Sequence, residues 1–220
     1  QKTAYEIMPS LVGSEMCIRD RLKKHNVWVV LMPANQFDKP FVKGLEYNSN
    51  WPIVFLNNKQ KLFVDVTTPA GKKLFAGMFT GKTVYPDDFS KNLTLAHNLF
   101  VYHRNDKAKR RQAFDLAIKA FHANPSQAPM QKIIYAARFA ELRAAVYKFC
   151  KDYFDDFVKN KRLYAKHDGY HHRLVAALLA ASYLQTVAVK QGDTELIKFY
   201  ADKRQEYIDE QKQLLRTKRW

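Results

Sequence analysis

Cysteine, glycine and proline are scarce in this chain: 2, 7 and 8 of 220 residues. Two cysteines cannot staple a small secreted scaffold. So little glycine and proline excludes a collagenous repeat or a low-complexity linker. Acidic side chains are also few, with 21 Asp and Glu against 37 Lys and Arg and a formal net charge of +16. The longest apolar run, Leu174 to Val189, contains Ser182, Gln185 and Thr186. It falls short of the roughly 20 residues that a bilayer span requires. What is abundant is apolar side chain, 47% of the sequence, enough to bury the core of one ordinary domain or two small ones.

The first twenty-one residues stand apart. Gln1-Lys2-Thr3-Ala4-Tyr5-Glu6-Ile7 back-translates as CAG AAG ACG GCA TAC GAG AT plus one base, which resembles a flow-cell primer of short-read libraries. Leu11 to Asp20 back-translates in the same frame into a stretch that resembles the transposase adapter following that primer, with room for an index between them. A signal peptide would need a long apolar stretch, and Glu6, Glu15 and Asp20 interrupt this one. The expectation is that residues 1–21 are an adapter-derived scar with no fold of their own, and that Leu22 is an arbitrary start. Lys2, Arg19 and Arg21 balance Glu6, Glu15 and Asp20, so setting them aside leaves the charge at +16 and Cys150 as the remaining cysteine.

Character changes near residue 90. Five of the seven remaining prolines lie between Leu22 and Ser90, and none follows Met130. Val27 to Leu31 is β-branched and aromatic and stops at Pro33, which predicts a buried strand. Phe41 to Tyr47 predicts a short helix. Ile53 to Leu56, the polar turn Asn57 to Gln60 and Leu62 to Val66 predict a hairpin, with two asparagines suited to positive φ at its tip. Residues 22–90 therefore read as a partial α/β unit. Three strands leave an open edge, so its missing strands are expected upstream of Leu22.

Residues 91–220 read as a helical domain. Leu93, Ala96 and Phe100 share a face, as do Ala113, Ala117, Ala120 and Phe121, ended by Asn124-Pro125. Leu142, Val146, Phe149, Tyr153 and Phe157 form an apolar stripe. Leu174 to Val189 is apolar nearly all round, a central buried helix. Gln191-Gly192-Asp193 turns into a last helix lined by Leu196, Tyr200, Tyr207, Gln211 and Leu214. The predicted class is α+β, mainly α. Leu95-Ala96-x-x-Leu99 with Ala113, Ala117, Ala120 and Pro125 resembles a tetratricopeptide-type hairpin, and Leu179-Ala180-x-x-Tyr183 with Ile197 repeats the spacing of Ala96 to Ala113. Both pairs carry about five extra residues between helices, and a generic helical bundle satisfies the same pattern.

Chemical motifs are weak. Gly77 to Thr83 contains Gly-Lys-Thr but has Ala76 where a phosphate loop needs glycine, and Pro86 blocks the following helix. His167, His171 and His172 are candidate metal ligands, with Asp168 as the alternative cap of a helix starting near Tyr170. Cys150 lies on the apolar stripe and reads as a packing thiol. Asp152, Asp155 and Asp156 read as a solvated, ion-paired face flanked by Lys151 and Lys159. Tyr85-Pro86-Asp87-Asp88 reads as a helix start. The candidate anion- or partner-binding residues are Lys107, Lys109, Arg110 and Arg111, and Arg216, Lys218 and Arg219 near the end of the chain.

Trp28 to Leu31, the helical excursion, Trp51-Pro52-Ile53-Val54-Phe55-Leu56, the polar turn and the next strand resemble the extramembrane C-terminal region of bacterial polytopic membrane glycosyltransferase-like proteins. That resemblance covers residues 22–67. It implies sugar transfer from a lipid-linked donor by catalytic carboxylates in an early loop, and no residue here matches such a loop. The function expected from the residues is a non-catalytic helical interaction or accessory domain with a protein partner and no cofactor. The alternatives are the soluble tail of a membrane glycosyltransferase and a basic nucleic-acid-binding protein.

Overall fold

The computed structural model describes residues 15–36, 39–46 and 48–217, with side chains from Asp20 onward. The fold is α+β and mainly helical, a three-stranded sheet followed by a helical bundle. It forms two compact units, one ending at His103 and the other beginning at Arg104.

The first unit contains α1 (Glu15–Lys24), β1 (Val29–Pro33), α2 (Pro40–Glu46), β2 (Ile53–Leu56), β3 (Gln60–Val64), α3 (Pro69–Phe79) and α4 (Asp88–Tyr102). Helix α1 begins seven residues before Leu22, inside the stretch read as an adapter-derived scar. Its Glu, Met, Arg, Leu and Lys are good helix formers, and its Leu22 is buried. The strands are all antiparallel in the order β1-β3-β2, so the unit is α+β rather than α/β. The hairpin tip differs from expectation. Among described residues only Asn26 is a non-glycine with positive φ. Asn57 instead uses its side chain, its Oδ1 accepting from the N–H groups of Lys59 at 2.8 Å and Gln60 at 2.7 Å, an Asx turn.

Helix α4 closes the outer edge of β2. The Leu56 N–H donates to Thr94 Oγ1 at 2.8 Å. The Asn98 side-chain amide donates to the Ile53 carbonyl at 2.7 Å, and the Tyr85 hydroxyl reaches the Val54 carbonyl at 3.4 Å. Side chains thus stand where a fourth strand would bond, which corrects the expectation of an open edge on this side. They also hold α4 to the sheet, which is why the division between units falls after His103 and not at residue 90. Asp87 caps α4 by accepting from the Ser90 N–H at 2.6 Å, as the acidic start predicted.

Helix α3 was not foreseen. Thr68 caps it through Oγ1, which accepts from the Gly71 N–H at 3.1 Å, and Pro69 opens it. A Cβ on Gly71 would lie 2.1 Å from the Asp65 carbonyl oxygen, so only glycine lets the chain turn here. Met78 packs with Val54 and Val64 on one face of the sheet. On the other face Val30, Met32 and Phe63 are buried, and the equally buried Lys61 pairs with Glu46 of α2 at 2.6 Å.

The second unit contains α5 (Lys107–Ala123), α6 (Gln127–Tyr135), two 3-10 turns (Ala136–Arg138 and Ala140–Leu142), α7 (Arg143–Tyr164), α8 (Tyr170–Gln191) and α9 (Thr194–Thr217). Helix α8 packs against α6, α7 and α9. At 22 residues it is longer than the predicted run, and by length and composition it would suffice to cross a membrane. Its Leu174, Ala177, Ala180, Ala181 and Leu184 are buried in the bundle core, where small side chains allow close helix approach. The stripe on α7 centres on Val146, Cys150, Phe154 and Phe157. Phe149 and Tyr153 flank it and meet Phe121 edge-on at 5.3 and 4.8 Å. Of the two tetratricopeptide-like pairs, the first is divided, with α4 in one unit and α5 in the other; the second is α8 with α9.

Replacing Asn98 with leucine leaves the Ile53 carbonyl without its buried donor. Urea denaturation should show a loss of about 1–3 kcal/mol.

Candidate functional site

The end of α7, the start of α8 and the last turns of α9 meet at one end of the bundle. Gly169 caps α8 with φ 84° and no side-chain hydrogen bond, so Asp168 is not the cap that the sequence predicted; the left-handed turn at Gly169 carries the chain round instead. Buried Tyr170 donates its hydroxyl to Glu210 Oε1 at 2.6 Å. Lys161 Nζ bridges Glu206 at 2.5 Å and Glu210 at 2.7 Å. Lys203 adds a second pair to Glu206 at 2.8 Å, and Lys161 lies 5.2 Å from the Tyr207 ring centre. Lys161, Tyr170, Glu206 and Glu210, with Val158, Lys159, Arg162 and Ala165, line a cleft of about 630 Å³.

Lys161, Tyr170 and Glu206 are each pushed further into their ordinary charge states. Burial works to raise the Glu206 carboxyl, but Lys161 and Lys203 outweigh it and hold it below the usual range. Burial works to lower Lys161, but its two carboxylates hold it above the usual lysine value. Burial and then the Glu210 hydrogen bond hold the Tyr170 phenol up. Charges fixed in this way suit binding better than proton transfer near neutral pH.

The histidines are at this same end. His167 is exposed in the loop before α8, His172 is exposed on its first turn and His171 is half-buried beside it, the His171 and His172 rings lying 5.7 Å apart. Among the described residues no group of three or more His, Cys, Asp or Glu side chains converges to hold a metal. Arg216 is exposed in the last turn of α9, while Lys218 and Arg219 lie outside the described residues. The structure therefore unites two motifs that looked separate in sequence. Glu210 touches Tyr170, and Arg216 follows six residues on, past the start of α8. Lys159 and Arg162 line the cleft, Lys166 and Asp168 are exposed in the loop that follows α7, and the Arg173 guanidinium lies 4.8 Å from the Tyr164 ring centre. Leu163 and Leu215, 56% and 54% exposed, lie at this end too. Sequence reading missed Lys159, Arg162, Lys166 and Arg173, although five cations and one acid between Lys159 and Arg173 are visible in the chain.

The other basic cluster is dispersed. Lys107 and Lys109 are exposed, and Arg111 pairs with Asp115 at 3.2 Å. Arg110, named with them as a candidate, is buried. Its Nε donates to Glu141 Oε1 at 2.6 Å and its Nη1 to the Arg104 carbonyl at 2.7 Å. Its guanidinium lies 4.8 Å from the Phe139 ring centre. Cys150 is buried, and burial pushes its thiol up to about 12. Asp152 and Asp155 pair with Lys148 and Lys151, the solvated face expected. Gly77 to Thr83 closes α3, its Gly77 carbonyl accepting from the Lys82 and Thr83 N–H groups at 3.0 and 3.2 Å.

Comparison with protein-family models, curated proteins and solved structures finds no match.

Arg110→Ala should cost about 1.5–3 kcal/mol in urea denaturation, since its charged hydrogen bonds are lost. Lys107→Ala with Lys109→Ala should change stability by less than about 0.5 kcal/mol. Cys150 gives a pH signature. Its folded value of about 12 lies above the ordinary 9.0, so its contribution is complete below about pH 9 and is lost as pH rises toward 12. Over that window the wild type should lose up to about 1.4 kcal/mol per pH unit more than Cys150→Ala.

Proposed function

We propose that this chain is a non-catalytic helical interaction domain, and that the basic end of its bundle docks an acidic surface of a protein partner. The observation that carries this reading is a cleft lined by Lys159 and Arg162, with Lys166 exposed in the next loop, Arg216 exposed in the last turn of α9, and Leu163 and Leu215 exposed near them in the chain. A cationic rim beside exposed apolar side chains is the make-up of a protein interface. Exposed Leu163 and Leu215 favour a protein partner over a phosphate backbone, which offers them no apolar contact. The fixed ion pairs of the cleft support binding rather than catalysis.

The basic surplus also fits the nucleic-acid alternative, and one titration separates the two. Poly-L-glutamate and a single-stranded oligonucleotide of about 30 bases are each added to the full chain at about 50 and 300 mM salt. Poly-L-glutamate should bind at low salt, and Arg162→Glu with Lys166→Glu should weaken it at least about tenfold with the melting temperature unchanged. Tighter binding of the oligonucleotide overturns the protein-partner reading in favour of nucleic acid. Binding of neither overturns the site.

A further inference from the structure

The two edges of the small sheet are treated differently. Side chains of α4 close β2, whereas among the described residues β1 pairs only with β3. The Asp65 N–H bonds the Trp28 carbonyl and the Ala34 N–H bonds the Lys59 carbonyl, both at 2.8 Å. Antiparallel alternation then turns the backbone groups of Val30 and Met32 toward β3 and those of Val29, Leu31 and Pro33 outward. The outward row offers the N–H and carbonyl groups of Val29 and Leu31, with no backbone hydrogen-bond partner among the described residues, while the Pro33 carbonyl accepts from the Gln36 N–H at 3.2 Å.

This edge lacks the usual protections. No charged residue occurs from Val27 to Pro33, and the β1–β3 register runs without a bulge. Leu31 is 55% exposed and Trp28 38% exposed. Natural edges are blunted by inward charges, bulges or covering elements; here the one such device is Pro33 at the far end. A row of unpaired amides beside an exposed leucine fits recognition by strand addition, in which main-chain bonds give affinity and alternate side chains give specificity.

Charge decides between occupants. Lys23 and Lys24 end α1 a few residues before the strand, and Lys59 is paired across from Ala34 at its other end. A second copy would bring the same cations together in a chain of net charge +16. We propose that the outer edge of β1 receives an extended segment of a partner protein, apolar and β-branched at its centre and acidic at its ends, as a fourth strand. This surface lies in the first unit, and the proposal does not rest on the docking role given to the bundle.

The test uses the ¹⁵N-labelled full chain and an acetylated peptide of alternating valine and threonine with two glutamates at each end. On binding, the Val29 and Leu31 amides should gain protection from hydrogen exchange at least about tenfold, while Val30, already bonded to β3, should change little. The same peptide ending in lysines should bind at least about tenfold more weakly. Leu31→Lys should weaken binding by a similar factor with an unchanged melting temperature, and methylating the peptide amides that face β1 should abolish it without altering the protein. Arg162→Glu should leave peptide binding intact, which keeps this result separate from that of the bundle end. No protection at Val29 and Leu31 at about millimolar peptide overturns the proposal, as does equal binding of the lysine-ended peptide. A dimer that Leu31→Lys dissociates overturns it in favour of a second copy.

Discussion

A carbonyl on the outer edge of a strand must find a donor or stay in water, and at Ile53 the donor is the side-chain amide of Asn98. Thr94, one turn earlier on the same helix, accepts from the Leu56 N–H and donates its own hydroxyl to the Ser90 carbonyl at 2.7 Å. Because these bonds are buried, each would cost more broken than it contributes made. They determine much else in the first unit. The sheet needs no fourth strand on this side, and α4 belongs to the sheet. Leu93, Ala96 and Phe100 are free to bury the rest of the helix.

The second unit depends on a different device. Its long helices are joined less by backbone bonding than by aromatic rings, with Phe154 against Tyr200 at 5.4 Å and Phe157 against Tyr207 at 5.5 Å. Ring pairs of this kind add edge-to-face attraction to plain burial. They also set the height of α9 beside α7, and that height places Glu206 and Glu210 opposite Lys161. The cleft is thus a by-product of core packing one or two turns away.

Legibility followed the range of the forces involved. Strands and helices with local periodicity were visible in the sequence: Ile53 to Leu56, the Ala113 to Phe121 face, the acidic start at Asp87. Pairings between residues far apart in the chain were not. Arg110 looked like one of several surface cations until Glu141, the Arg104 carbonyl and Phe139 enclosed it. Asn98 carried no signal in sequence of its bond to Ile53. The histidines and Arg216 were both noticed, but only the antiparallel return of α9 along α8 puts them at one place. Helix α3 is the exception, since its start is marked locally by Thr68-Pro69, a cap followed by a proline at the first helical position.

The strand order β1-β3-β2 has a temporal consequence. β2 and β3 are neighbours in the chain and can close as a hairpin within microseconds of leaving the ribosome. β1 is made first but has no partner until Gln60 to Val64 has emerged, and its join must close a loop of about thirty residues. Throughout that interval Val29 to Met32 is an uncharged nascent segment with both flanks bare. The chain therefore passes through a stage at which a chaperone that holds short apolar stretches has this segment to grip.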